Sequence, residues 1–260
     1  MKKYKFCFIG AGNVATHLST ELQKCGHEVV QVYSRSEESA KQLADRLNTD
    51  FTISTKSIIQ TADIYIVALK DSVVDQVLSQ TEFNDKLLVH CSGSMPMNVL
   101  SKYTKNYGVF YPLQTFSKKR DVDFKTIPIF VEANSDNNQL KLEELANEIS
   151  NSVTVLDSEK RKSLHIAAVF ACNFTNHCYA MAAKYLESKE LPFDILRPLI
   201  AETANKVQHL HPKEAQTGPA IRFDENIINA HLEDLKEMPD LQELYNSISK
   251  SIFEYHQEKK

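Results

Sequence analysis

The 260-residue sequence has no tryptophan, only six glycines and no long apolar run. Since a membrane-spanning helix needs roughly 18 consecutive apolar residues, a soluble protein without a membrane partner is expected. The formal net charge of −4 and the pI near 6.1 provide no general attraction to nucleic acid or to an anionic surface. Composition therefore predicts neither a nucleic-acid partner nor a membrane partner.

The five cysteines lack the spacing of a disulfide framework or of a zinc site. Even the last two, Cys172 and Cys178, do not form a C-x-x-C motif. The apolar stretch that follows Lys2 and Lys3 is too short for a secretion signal, because Gly10 opens a different motif at once. We therefore expect a reducing, cytoplasmic environment and no metal site.

Strand-like and helix-like segments alternate over residues 1–157. The apolar run 4–9, the helical spacing at 13–25 and the β-branched run 28–33 predict a βαβ unit. Further strand-like segments lie at 63–69, 86–91, 107–111, 127–132 and 153–156. This alternation predicts an α/β fold with a Rossmann-type, doubly wound parallel sheet.

After Asp157 the sequence changes character. Only one of the six glycines, Gly218, lies beyond Gly108, which is typical of helices joined by few tight turns. Helical spacing runs over 158–188, 193–210, 225–236 and 240–257. We predict a dinucleotide-binding domain over residues 1–157 and an all-helical domain over 158–260.

A glycine-rich turn lies where the first predicted strand gives way to the first helix. Gly10, Gly12 and Ala15 match the pattern G-x-G-x-x-A, in which the glycines allow a sharp bend and close approach to a pyrophosphate. Amides at the helix start then hold the phosphates, so Asn13 and Val14 are assigned to the same site. A plain structural turn is the alternative, but the βαβ context favours a dinucleotide.

The end of the second predicted strand favours NADP over NAD. An NAD site has an acidic residue there, whereas this sequence has Ser34, Arg35 and Ser36. A guanidinium suits a 2′-phosphate, and the two hydroxyls add donors. The alternative is that Ser36 only caps the next helix and Arg35 is solvated.

Two more strand ends lie where open α/β sheets bind ligands. Ala68, Leu69 and Lys70 end one strand and are assigned to the cofactor, while Ser92 follows the next strand on the expected nicotinamide side. For the neighbouring Asp71, a helix cap is the alternative to a role in the site.

A polar stripe marks the first helix of the predicted helical domain. At 100° per residue, its members fall on an arc of about 140°. They are Arg161, Lys162, His165, Asn173 and Asn176. The stripe indicates a cleft-facing surface with His165 as acid/base and Asn173 as a positioning group, although each residue alone could simply satisfy neighbouring polar groups.

Two loops could add groups to the same cleft. Tyr111 and Gln114 follow a predicted strand, and Arg222 follows the turn signal of Gly218. Arg222 could bind a substrate carboxylate or phosphate, or it could pair with a neighbouring acidic residue.

Several segments together resemble a family of NADP oxidoreductases that joins a deazaflavin-dependent-oxidoreductase-like Rossmann domain to a C-terminal domain of unassigned function. The matching segments are 9–14, 90–94, 111–116, 165–174 and 217–222. The resemblance implies a fold similar to pyrroline-5-carboxylate reductase and to the 6-phosphogluconate and β-hydroxyacid dehydrogenases. It also implies a homodimer through the helical domain.

The same resemblance bears on the catalytic residues. The hydroxyacid dehydrogenases use a lysine, followed by an asparagine, on the first long helix; here that implies Lys162 or His165, followed by Asn173. Many relatives carry His-Pro-Leu at residues 111–113, where this sequence has Tyr-Pro-Leu. Tyr111 would then replace a histidine.

Three functions follow as hypotheses. The first is an NADP-dependent oxidoreductase acting on a small carbonyl, imine or hydroxy acid. The second, suggested by the lack of an unmistakable catalytic lysine, is an NADP(H)-binding redox sensor or scaffold without turnover. The third is hydride exchange with a deazaflavin.

Overall fold

The structure is a computed structural model that describes residues 2–257. These residues divide between Cys172 and Asn173 into two compact units. The division lies later in the chain than the predicted domain boundary after Asp157, because the helix that follows Asp157 is grouped with the sheet.

The first unit is built on an eight-stranded sheet in the order β3-β2-β1-β4-β5-β6-β7-β8. The strands are β1 Lys5–Ile9, β2 Glu28–Tyr33, β3 Asp50–Thr52, β4 Ile64–Val67, β5 Leu87–His90, β6 Asn106–Pro112, β7 Ile129–Ala133 and β8 Val153–Val155. All neighbours pair in parallel except β6 with β7. The predicted doubly wound Rossmann-type sheet is confirmed, and its strand order reverses between β1 and β4, where such sheets bind ligands.

Five helices accompany this sheet. They are α1 Asn13–Lys24, α2 Glu37–Leu47, α3 Val74–Leu78, α4 Asp136–Ile149 and α5 Ser158–Ala168. Successive residues of β1 belong to different core clusters: Phe6 and Phe8 lie in one cluster, and Cys7 and Ile9 in the other. Because both faces are covered, the inner strands are apolar runs without alternation.

Two features of the sheet differ from the sequence prediction. Strand β3 was not predicted, since its three residues are largely exposed at the sheet edge and carry no apolar pattern. Strand β7 runs antiparallel to β6, because the connection between them contains only a short 3₁₀ helix, Phe124–Thr126, and lacks the crossover helix usual between parallel strands.

The second unit is helical. Its helices are α6 Thr175–Ser188, α7 Arg197–Lys206, α8 Pro212–Ala215, α9 Glu225–Asp234 and α10 Pro239–Gln257. The predicted helix over 158–188 is interrupted by a π-helical turn, Val169–Phe174. Within residues 2–257 no helix is long and apolar enough to cross a membrane.

Candidate active site

The turn between β1 and α1 requires glycine at its first position. Gly10 has a φ of +122°, and a Cβ on it would lie 2.3 Å from the Ala68 carbonyl oxygen. Its N–H donates to the Tyr33 carbonyl at 2.8 Å. The turn is thus held tightly against the ends of both neighbouring strands.

At Gly12, in contrast to Gly10, the surrounding protein leaves room for a side chain. It is the N-cap residue of α1, and a Cβ built on it meets no described atom within 4 Å. Among the described residues, no side chain caps this helix, and its first turn has no acidic residue. The first amides and the positive end of the helix dipole therefore face open space at Gly12, which fits a phosphate group.

The other residues of the turn stabilise its position. Asn13 Nδ2 donates to the Phe116 carbonyl at 2.8 Å, which ties α1 to the segment after β6. Ala15 is fully buried and Val14 packs at the edge of the same core. Asn13 therefore has a structural hydrogen bond, and its contact with a cofactor stays a prediction, as does that of Val14.

Arg35 lies in a groove beyond β2 that has a volume of about 270 Å³. The lining residues are Tyr33, Arg35, Ile53, Ser54, Thr55, Lys56, Gln76, Val77 and Gln80. Arg35 and Lys56 give the groove two cations, and its described lining includes no carboxylate. This charge distribution fits a 2′-phosphate group.

The two serines beside Arg35 both bind backbone amides. The N–H of Ser36 donates to Ser34 Oγ at 3.3 Å, and the N–H of Ser39 donates to Ser36 Oγ at 3.3 Å. Ser36 therefore does cap α2, as the structural alternative supposed. Each hydroxyl still has its own O–H to donate, so capping does not remove either serine from the cofactor site.

A hydrogen bond joins the segments that follow β4 and β5. Ser92 Oγ donates to Asp71 Oδ2 at 3.0 Å and accepts from the N–H groups of Ser94 at 3.1 Å and Met95 at 3.0 Å. Asp71 lies inside a 3₁₀ helix whose cap residue is Lys70, so the helix-cap reading of Asp71 is wrong. Its carboxylate instead fixes the loop after β5.

The predicted ligand residues around this bond differ in exposure. Ala68 and Leu69 are half-buried, and Lys70 is exposed. Ala68 forms part of the turn through its carbonyl oxygen, next to Gly10. Contacts of Leu69, Lys70 and Ser92 with a cofactor stay predictions.

Tyr111 and His165 meet over Gly93. Tyr111 Oη lies 2.9 Å from His165 Nδ1, and the rings are nearly perpendicular with centroids 6.0 Å apart. A Cβ on Gly93 would lie 2.5 Å from His165 Nδ1 and 2.9 Å from Tyr111 Cζ. Only glycine at this position allows the pair to lie over the end of β5. The sequence predicts both residues as candidates and places Gly93 in a segment, 90–94, on the expected nicotinamide side, but it gives no sign of the contact between them.

Burial controls the protonation of the groups around this pair. It raises the pKa of Tyr111, and the positive charge of Arg161 acts in the opposite direction. Burial, with a further contribution from Arg161, lowers the pKa of His90 to about 3. His90 is therefore neutral, and its Nδ1 accepts from the Ser92 N–H at 3.1 Å. Burial also raises the pKa of the Cys91 thiol to about 12, which excludes a thiolate at neutral pH.

The predicted polar stripe does not continue as calculated. Arg161 is fully buried and pairs with Glu132, so it does not face a cleft. The π-helical turn changes the step of 100° per residue between His165 and Asn173. Lys162 and Asn173 are both exposed, and their roles stay predictions.

Glu132, the partner of Arg161, was not identified from the sequence, because a single acidic residue in a strand gives no signal there.

Comparison with solved structures identifies the family. A Bacteroides fragilis protein assigned as an NADP oxidoreductase is 50% identical, with 97% of this chain and 98% of that chain covered and a TM-score of 0.92. The chain belongs to this family of NADP oxidoreductases. The predicted family and its cofactor, NADP, are thereby confirmed.

Family models and further solved structures also match the chain. The family model "NADP oxidoreductase coenzyme F420-dependent" matches residues 5–93, and a domain of unknown function, DUF2520, matches residues 127–252. A Thermotoga maritima protein shares the fold at 22% identity, with 97% and 100% of the chains covered and a TM-score of 0.79. So does 1-pyrroline-5-carboxylate reductase from Streptococcus pyogenes, at 15% identity, 97% and 99% coverage and a TM-score of 0.62. Comparison with curated proteins gives no match.

Gly10→Ala and Gly12→Ala should separate folding from cofactor binding. At Gly10 the new Cβ clashes with a carbonyl at a positive φ, so the free energy of unfolding should fall by about 1–3 kcal/mol or more. At Gly12 the Cβ has room in the protein but would block a phosphate, so Tm should stay close to that of the parent while NADPH binding weakens. Thermal unfolding and calorimetric titration measure the two effects. Undiminished NADPH affinity in Gly12→Ala would place the pyrophosphate elsewhere.

Arg35→Ala should weaken NADPH binding about tenfold or more while leaving NADH binding nearly unchanged, because only NADPH carries the 2′-phosphate. The matched control is Arg46→Ala, which removes an exposed arginine from the last turn of α2. Titration of both nucleotides against both variants gives the four affinities. Equal losses for NADPH and NADH in Arg35→Ala would show that this side chain does not read the phosphate.

Proposed function

We propose that the oxidoreductase transfers a hydride between NADP(H) and a small carbonyl, imine or hydroxy-acid substrate, with Tyr111 and His165 as the proton-transfer pair. The observation that carries this proposal is the 2.9 Å contact between Tyr111 Oη and His165 Nδ1. NADP supplies the hydride chemistry when bound, so the chain must orient the reactants and move one proton.

The pair can supply that proton from either end. If Tyr111 donates to Nδ1, the imidazole can present the opposite nitrogen, Nε2, as donor. If protonated Nδ1 donates to Oη, the phenol O–H is free to face a substrate oxygen or nitrogen. In both arrangements one side chain donates a proton to the substrate and the other side chain then passes its own proton to the first. The two side chains thus act as one relay.

The surrounding chain supports an ordered reaction site at this position. The Ser92–Asp71 hydrogen bond fixes the loop that carries Gly93. The same loop follows β5 on the ligand-binding edge of the sheet, which also carries the turn at Gly10 and Gly12 two strands away. A nicotinamide next to Ser92 would therefore lie near the pair. Lys162 and Asn173 remain secondary candidates, as an alternative acid and a substrate-positioning amide.

The competing functions differ in turnover. A redox sensor would bind NADPH at Gly12 and Arg35 without oxidising it. A deazaflavin belongs among the test compounds, because the family model for residues 5–93 is described as coenzyme F420-dependent.

Once a screen of oxo acids, hydroxy acids, imines and a deazaflavin gives a substrate, His165→Ala and Tyr111→Phe should each lower kcat about 10²–10⁴-fold. NADPH affinity should change little, because neither residue lies in the phosphate or Arg35 sites. Exposed His209 and Tyr255 offer matched controls, His209→Ala and Tyr255→Phe. A parental kcat in both pair variants would exclude the relay. NADPH binding without turnover of any compound would favour the sensor.

We also propose that the helical unit forms a homodimer. In its described residues only Ala220, Ile228 and Leu235 are buried apolar side chains, and α6 and α7 have none. Ile195 is 60% exposed and Leu199 is 63% exposed. A groove of about 460 Å³ between α6, α9 and α10 has mainly apolar walls. A unit with so little core and so much exposed apolar surface is expected to be covered by a second copy.

Light scattering should give twice the chain mass of 29.6 kDa for the parent protein. Leu199→Glu should weaken the dimer, since it puts a charge on the exposed apolar face of α7. Asp45→Lys, at an exposed position of α2 in the first unit, is the control and should leave the mass unchanged. A parent protein of single-chain mass at micromolar concentration would rule the dimer out.

A further inference from the structure

The proposed relay leaves one buried charge without a function. Arg161 is the largest fully buried side chain of the described residues. Its Nη1 donates to Glu132 Oε2 at 2.5 Å, and its Nη2 donates to the Met95 carbonyl at 2.5 Å. A third bond runs from Nη2 to Ser158 Oγ at 3.2 Å. The guanidinium thus joins α5, β7 and the loop after β5.

We propose that Arg161 is a positioning residue for the Tyr111–His165 pair: it fixes α5 over the end of β5 and holds a positive charge one helical turn before His165, which contacts the Tyr111 phenol. This role rests on the proposed function of the pair. It assigns Arg161 and Glu132 to the proton-transfer chemistry although neither is placed in contact with substrate or cofactor.

The first part of this role is mechanical. Ser158 Oγ donates to Glu132 Oε2 at 2.7 Å and accepts from the Met97 N–H at 2.9 Å. The first turn of α5 is therefore fastened both to β7 and to the loop that carries Gly93. His165 follows Arg161 by about one helical turn. Fixing that first turn fixes the imidazole over Gly93.

The second part of the role is electrostatic. A buried ion pair is weak evidence for stabilisation, because a well-packed apolar pair is often as stable. The Arg161 charge nevertheless acts on its surroundings. Burial raises the pKa of Tyr111 and the Arg161 charge opposes that rise, whereas burial and the Arg161 charge together lower the pKa of His90. On the neighbouring elements, the titratable groups are Glu159, Lys160, Lys162 and His165 on α5, Glu132 on β7 and His90 on β5. Glu159, Lys160 and Lys162 are exposed to solvent, which screens their charges, and His90 is neutral. Arg161 and Glu132 therefore form the ion pair that is shielded from solvent here.

Two variants should change the Tyr111 pKa in opposite directions. Arg161→Met removes the cation that stabilises the phenolate, so the pKa of Tyr111 should rise. Glu132→Gln removes the counter-charge and leaves the cation, so the pKa of Tyr111 should fall. Arg161→Lys keeps the charge without the forked hydrogen bonds and should restore most of the parent titration. Loosened packing alone would not reverse the sign between the two variants.

The test is an NMR pH titration of the full chain with ¹³C-labelled tyrosine rings, in which Tyr111→Phe assigns the Tyr111 signal. Arg46→Met, which removes an exposed arginine of α2 at the far end of the sheet, is the control and should leave the titration unchanged. Shifts of opposite sign support the proposal; shifts of the same sign, or none, overturn it. If Arg161→Met does not fold, Glu132→Gln decides: a lower Tyr111 pKa supports the role and any other result overturns it.

This titration needs no substrate, so its result is independent of turnover. If Tyr111→Phe leaves kcat unchanged while the opposite shifts occur, the electrostatic role of Arg161 stands and the relay fails. If the relay variants lose activity but the titration does not respond to Arg161 or Glu132, the relay stands and the role of Arg161 is overturned.

Discussion

The ion pair between Arg161 and Glu132 determines where the last helix of the first unit lies. It depends on the reversal of the chain after β6. Because β7 runs antiparallel to β6, Glu132 pairs with Val109 and Phe130 pairs with Tyr111. Val109 also pairs with His90, the last residue of β5, so the carboxylate lies level with the end of β5. Arg161 binds that carboxylate and, through the Met95 carbonyl, the loop after β5. One buried charge pair thus brings a strand, a loop and a helix to the same place.

Three positions of the site carry glycine for different physical reasons. Gly10 is required because a Cβ would strike the Ala68 carbonyl, and Gly93 because a Cβ would strike His165 and Tyr111. Gly12 is different, since the protein itself would tolerate a side chain there. A small residue that the fold does not need, at the uncapped start of a helix, is explained by close approach of a ligand. The contrast distinguishes the cofactor turn from a plain connection.

Periodicity was enough to predict the Rossmann sheet and the helical second unit, because apolar runs, helical spacing and the glycine turn are local properties. It failed for β3, which is too short and exposed to have a pattern, and for the polar stripe, which a π-helical turn interrupts. The Tyr111–His165 contact joins residues 54 positions apart. It depends on Arg161 and Glu132, whose pairing no local pattern contains. The sequence therefore indicated Tyr111 and His165 as candidates, but neither their contact nor the ion pair that lies near it.

The protonation of the pair also bears on the direction of the reaction. Burial raises the pKa of Tyr111, so the phenol keeps its proton at neutral pH and serves as a donor more readily than as a base. A donor is what a carbonyl oxygen requires when it receives a hydride, because the alkoxide that forms must be protonated. Arg161 offsets part of the effect of burial on that pKa. In the proposed reaction the phenol can therefore donate its proton when NADPH reduces a carbonyl, and the same pair must take the proton back in the reverse reaction.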